Sequence, residues 1–196
     1  YPMKNKKIGI NEVIEKFGVE PNKVTQIQAL TGDKIDNIPV IIARSGWSGE
    51  PGYEIYLRDG SKGNRLWDIF MNAGKEFNIA PAAPSQINRI ESGMLSYGSD
   101  MTLKENPYDI SLGKFVNLDK NADFLSKEAL TLTKQKGITK QLVGVEILEK
   151  FSDEFIRDHI LIYNNEEIVG KITSSVFSPR LNKNIGLAIL NIKCKE

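Results

Sequence analysis

I-I-A-R-S-G-W-S-G-E-P-G-Y-E-I-Y-L, residues 41–57, is the stretch on which the reading of this chain turns. Two runs of strand-forming residues, Val40–Ala43 and Tyr53–Leu57, flank a centre holding Gly46, Gly49, Gly52 and Pro51. Glycine supplies positive φ and lets a backbone or ligand approach closely, so the pattern predicts a β-hairpin with an elaborate loop. The loop presents Trp47, Glu50, Tyr53 and Glu54 together. Aromatic faces beside a carboxylate suit a flat heterocycle that carries hydrogen-bond donors along one edge. A plain turn between two core strands has the same local pattern, so the surrounding sequence has to decide between them.

Downstream, Arg58–Lys62 is a polar turn. Gly63–Phe77 then places Leu66, Trp67, Ile69, Phe70, Ala73 and Phe77 largely on one side at a 3.6-residue period, which predicts an amphipathic helix with Trp67 and Phe70 in the core. Pro81 and Pro84 bracket a linker. A second helix is expected over Ser85–Met94, with Ser85 as N-cap and Ile87, Ile90 and Met94 as its apolar line. Arg89 and Glu91 lie beside that line as a candidate structural ion pair. A mostly irregular stretch closes in a short strand, Phe115–Leu118. Lys127–Leu130 reads as a short helix before a linker, Lys134–Lys140. Beyond it, Gln141–Ile147, Ile160–Tyr163, Glu167–Thr173 and Ile185–Ile189 are short β runs separated by N-N-E-E and S-P-R-L-N-K-N turns. Their spacing predicts a small barrel or sandwich.

Upstream, Asn11–Phe17 reads as a short helix capped by Asn11 and ended by Gly18, and a second helical run covers Lys23–Leu30. A-L-T-G-D-K-I-D-N-I-P follows at residues 29–39. Asp33 and Asp36, three apart, would put both carboxylates on one side of a turn, where they would share a hard divalent cation or form a simple acidic turn.

The bulk numbers narrow the class. Hydrophobic residues make up 40% of the 196 and charged residues 26%, as in ordinary soluble domains. The 26 basic against 25 acidic side chains leave a net charge of +1, so no global field points to nucleic acid or an anionic membrane. No apolar run approaches the roughly 20 residues needed to cross a bilayer. The chain opens at Tyr1 without a signal-peptide pattern, which reads as a fragment boundary. Cys194 alone makes neither an intrachain disulfide nor a multi-cysteine metal site, and the cytoplasm is the expected compartment. His159, the single histidine, lies in a charged stretch without a nucleophile or second histidine, and is expected at the surface.

Two resemblances add to this reading. F-G-V-E-P-N-K-V with L-T-G-D-K-I-D-N-I-P resembles the 5′-nuclease domain of bacterial DNA polymerase I, in which the segment matching Asp33 and Asp36 ligates metal ions. The glycine-rich DNA clamp that follows in that family is absent after Pro39, as are its other acidic ligands, so nuclease action on DNA is not expected. That resemblance implies a foreign piece over residues 1–39, joined near Pro39–Val40. The second covers about half the chain. G-W-S-G-E-P-G-Y-E-I-Y-L, R-I-E-S-G-M-L-S-Y-G-S-D, N-P-Y-D-I-S-L-G-K-F-V and F-L-S-K-E-A-L occur in order. Together they resemble the folate-binding aminomethyltransferase family that includes the glycine cleavage T-protein, with dimethylsulfoniopropionate demethylases as the nearest members.

This resemblance implies an α+β fold: a partial, ferredoxin-like α+β portion of the aminomethyltransferase domain over residues 40–138, then a truncated small C-terminal β-barrel over 139–196. It implies tetrahydrofolate as one-carbon acceptor, with Glu54 holding the pterin, Glu50 as its rival, and Tyr53 and Trp47 alongside. A carboxylate accepting two parallel N–H bonds from the pyrimidine edge is a charge-assisted fork. The family's arginine four residues before the arginine of its R-L-E block falls on Ser85, which offers no fixed cation. That departure suits a demethylase-like relative using a methyl donor such as a sulfonium compound. The family's catalytic aspartate and donor site precede the hairpin and have no counterpart here, so the expected function is an isolated fragment of a one-carbon transferase, inactive alone. The alternatives are a metal-dependent nuclease segment and a non-catalytic folate-binding remnant.

Overall fold

In the computed structural model, residues 29–148 and 160–194 are described. The helices expected at 11–17 and over most of 23–30, and His159, lie outside them. The chain divides into two compact units, Tyr1–Pro84 and Ser85–Glu196.

The first unit is a three-stranded antiparallel sheet with one helix. Strands β1 (Ala29–Ile35), β2 (Ile38–Ala43) and β3 (Glu54–Leu57) lie in the order β1-β2-β3. Ala29 and Leu30 are therefore strand residues, where the sequence suggested the end of a helix. Asp36 and Asn37 form the β1–β2 turn with φ of 47° and 63°, and Ile35 pairs with Ile38 across it. Two consecutive positive φ values are what a two-residue type I′ hairpin requires, and Asp and Asn tolerate them better than other non-glycine residues. The G-D-K-I-D-N-I-P segment is thus a hairpin, with β2 running without interruption through Pro39–Val40.

Alternation along the strands sets the core. Ile38, Val40 and Ile42 of β2 are buried on one face, where Ile42 meets Ile55 and Val40 meets Leu57 of β3. Helix α1 (Gly63–Gly74) covers that face with Leu66, Ile69 and Phe70. Each such side chain removed from water contributes about 1.5–3 kcal/mol. Trp67 does not join them: it is 55% exposed. At about 100° per residue it is turned a little over a quarter circle from Leu66, onto the flank of the apolar stripe. It forms the wall of a shallow apolar groove of about 370 Å³ with Ile55, Met71, Ile79 and Pro81.

The second unit begins with α2 (Gln86–Glu91), whose N-cap is Ser85, its Oγ accepting from Asn88 N at 3.2 Å. Gly93, at φ 68°, lets the chain turn out of the helix, with Met94 N donating back to Arg89 O at 2.8 Å. After an irregular stretch comes α3 (Lys127–Lys136), two turns longer than the sequence indicated. Strands β4 (Lys140–Ile147), β5 (Ile160–Asn164), β6 (Glu167–Ser178) and β7 (Lys183–Asn191) form an antiparallel sheet in the order β4-β7-β6-β5. Leu142, Leu187 and Ile189 make its buried centre, with Leu95 packed on it.

The strand expected at Phe115–Leu118 does not form. Gly113–Phe115 is a 3-10 turn, and a Cβ on Gly113 would stand 2.6 Å from Cδ1 of Tyr108, so the backbone here sits against an aromatic ring instead of a strand partner. Residues 85–138 pack into the second compact unit. Leu142 N donates to Asp109 O at 2.7 Å and Ser111 Oγ to Leu142 O at 2.6 Å, binding the 85–138 region to the sheet that follows it.

Candidate functional site

The loop of residues 44–53 hangs between β2 and β3. The pairing of Ala43 with Glu54 closes the hairpin, and Gly49 takes φ 72° within it. Strand alternation puts Glu54 and Tyr56 on the face of the sheet away from α1, and Tyr53 on the other. The ring of Tyr53 accordingly packs on the core cluster, so it does not stand beside Glu54 as the sequence suggested. Trp47 is 37% exposed at the loop. Glu50 is exposed, and its main-chain amide donates to Ser48 Oγ at 3.3 Å.

Glu54 is the organised carboxylate of the hairpin. Its Oε2 accepts from Ser45 Oγ and from Tyr56 OH at 3.3 Å. The Glu54 charge beside it, then burial, then that hydrogen bond push the Tyr56 phenol above its ordinary pKa. Neither Ser45 nor Tyr56 was singled out from sequence, although period-2 alternation along E-I-Y-L places Tyr56 on the face of Glu54.

The two aspartates of the upstream segment fall on different parts of the β1–β2 hairpin backbone. Asp33 lies in β1 at its register irregularity, opposite Val40. Asp36 occupies the hairpin turn, and Arg65 Nη2 donates to its Oδ2 at 2.7 Å. A guanidinium already occupies that carboxylate, and no group of three or more metal-ligating side chains occurs among the described residues.

Arg89 and Glu91 do not pair with each other. Arg89, 1% exposed, donates through Nη1 to Asp100 Oδ2 at 2.8 Å and through Nη2 to Ser174 Oγ at 2.8 Å. Asp100 also accepts from Ser96 N at 2.9 Å and from Thr173 Oγ1 at 2.7 Å. Glu91 accepts from Ser178 Oγ at 2.5 Å and from Arg180 Nε at 2.9 Å. Arg89 ties α2 to β6, and Glu91 ties it to the end of β6 and the turn that follows.

Known proteins give this geometry a setting. The family model described as the GCVT N-terminal domain matches residues 10–120, and that of the glycine cleavage T-protein C-terminal barrel domain matches residues 140–196. An aminomethyltransferase of Bacillus cytotoxicus is 33% identical over 161 residues, which is 81% of this chain and 43% of the relative. An aminomethyltransferase of Clostridium botulinum (strain Langeland) is 36% identical over 159 residues, 80% of this chain and 42% of the relative. The crystal structure of glycine cleavage system aminomethyltransferase T from Bartonella henselae superposes with a TM-score of 0.73 at 23% identity, covering 94% of this chain and 49% of that one.

The architecture is thus that of the aminomethyltransferase fold, a mixed helix-and-sheet N-terminal part with a small C-terminal barrel domain. The chain belongs to the glycine cleavage T-protein family. It spans less than half the length of the curated relatives it matches. The first match begins at residue 10 and continues past Pro39.

Proposed function

We propose that this chain is the folate-binding portion of a tetrahydrofolate-dependent one-carbon transferase, with Glu54 as the carboxylate that holds the pterin. The observation that carries this is the open face of the hairpin, where Glu54 stands beside Ser45 and Tyr56 with Trp47 in the same loop. An ionised carboxylate accepts two parallel N–H bonds, and an aromatic side chain offers a flat partner to a heterocycle. In the longer protein the reaction would be transfer of a one-carbon group to folate nitrogen N5. Positioning and electrostatics would be the protein's contribution. We read residues 10–39 as part of this same domain and not as a nuclease segment, because the family match and β2 both cross Pro39.

Within the family we favour a demethylase-like member using a methyl donor such as a sulfonium compound. Ser85 supports this: its hydroxyl is committed to capping α2 and supplies no cation where aminomethyltransferases carry arginine. The single cysteine suits a reducing, cytoplasmic setting, and among the described residues no helix is long and apolar enough to cross a membrane. Calorimetric titration with tetrahydrofolate under reducing, oxygen-free conditions tests the central reading. Saturable binding that Glu54→Ala weakens several-fold is expected, and no heat at millimolar ligand would overturn the pterin assignment.

A further inference from the structure

We infer that Ser45 and Tyr56 are positioning residues that hold the Glu54 carboxylate ready for the pterin edge. This rests on the reading of Glu54 as the pterin carboxylate. Glu54 is exposed at the start of β3, and an unrestrained glutamate there samples many rotamers that binding must collapse. The two hydroxyls limit that sampling from two sides. Ser45 comes from the loop just beyond β2, and Tyr56 from the next same-face position of β3. Both donate to Oε2. A carboxylate has about four acceptor sites, so Oε1 and the remaining capacity of Oε2 stay open for a bidentate partner. Ordering the acceptor before the ligand arrives removes part of the cost of binding.

The geometry also separates these residues from ligand contacts, because their hydroxyls act through Glu54. The test is calorimetric binding of tetrahydrofolate to the full chain in a double-mutant cycle. Ser45→Ala and Tyr56→Phe are each expected to weaken binding by about three- to tenfold, the scale of one ordinary net hydrogen bond at an exposed site. Ser45→Thr, which keeps the hydroxyl, restores most of the affinity. In a Glu54→Ala background, Ser45→Ala and Tyr56→Phe have no further effect. Circular dichroism verifies the fold of each variant, and Tyr56→Phe with Ser45→Thr carries the test should Ser45→Ala not fold. Full affinity in Ser45→Ala and Tyr56→Phe, alongside a weakened Glu54→Ala, overturns the positioning role and leaves Glu54 standing. Losses that persist in the Glu54→Ala background overturn it too, since the hydroxyls would then meet the ligand directly. Unchanged binding in Glu54→Ala overturns the pterin reading on which all this rests.

Discussion

Tyr56 makes the electrostatics of the hairpin measurable one residue at a time. Its phenol is held above the ordinary value of 10.0, first by the charge of Glu54, then by burial, then by the hydrogen bond between them. The native state therefore keeps the phenolic proton to higher pH than the unfolded chain does. The contribution to stability is complete below pH 10 and is lost as pH climbs through the native pKa. Glu54→Gln is expected to bring the Tyr56 pKa back down toward 10, read from the ring-carbon NMR shift in an alkaline titration; an unchanged value would show that the carboxylate is not the cause. At this scale the local pattern put both Glu50 and Glu54 on the hairpin and did not choose between them. It misled about Tyr53 and Trp67 for geometric reasons. Tyr53 precedes Glu54 by one residue, so the pleat sends it to the opposite face, and Trp67 lies on the flank of its helix stripe, about 100° round from Leu66.

Helix α2 shows how an element can be legible while its purpose is not. Ser85 as N-cap and the run Ile87–Ile90 announce the helix, yet Arg89 and Glu91 are two apart, and residues two apart on a helix do not face each other. Their true partners, Asp100, Ser174, Ser178 and Arg180, lie as far as 87 positions away for Ser178 and further still for Arg180, which local pattern does not encode. The Arg89–Asp100 pair is almost fully enclosed, with side-chain exposures of 1% and 0%. Desolvating two charges is costly, and the pair endures because Ser96, Thr173, Ser174 and Met94 O satisfy their remaining donors and acceptors. Removing one partner leaves the other charged in a dry interior. Arg89→Met is expected to cost about 3–5 kcal/mol in denaturant unfolding. The double variant Arg89→Met/Asp100→Asn should lose less than the sum of the two single changes, because no lone charge remains buried. Additive losses would mean that the two side chains stabilise the unit independently. The absent strand at Phe115–Leu118 has a more local cause. Its residues have strand propensity, but the chain enters them through a 3-10 turn whose Gly113 backbone sits against the ring of Tyr108.

For the molecule as a whole, β1 went unread and the strand expected at Phe115–Leu118 is absent, but the other elements from β2 onward were readable from periodicity and turn chemistry, and the C-terminal strands fall close to where alternation put them. The packing of residues 85–138 was not, because it depends on contacts between segments far apart in sequence. Residues 85–138 contain little regular structure and look like an appendage of the hairpin region when read linearly. Hydrogen bonds from Asp109, Ser111, Arg89 and Asp100 to β4 and β6 instead make them part of the second compact unit. The junction is then A-P-A-A-P, residues 80–84, which carries no helix or strand and is exposed throughout. Exposed, irregular backbone without ladder hydrogen bonds is where proteases cut first. Elastase cleaves after small residues, and the prolines protect the bonds Ala80–Pro81 and Ala83–Pro84, so Ala82–Ala83 is the expected site in this segment. Limited digestion followed by mass spectrometry should yield the piece beginning at Ala83, and that piece should keep a cooperative thermal transition, since its buried ion pair and the Leu142–Leu187–Ile189 centre lie wholly within it. Loss of cooperativity after that single cut would show that the second unit depends on the first for its fold.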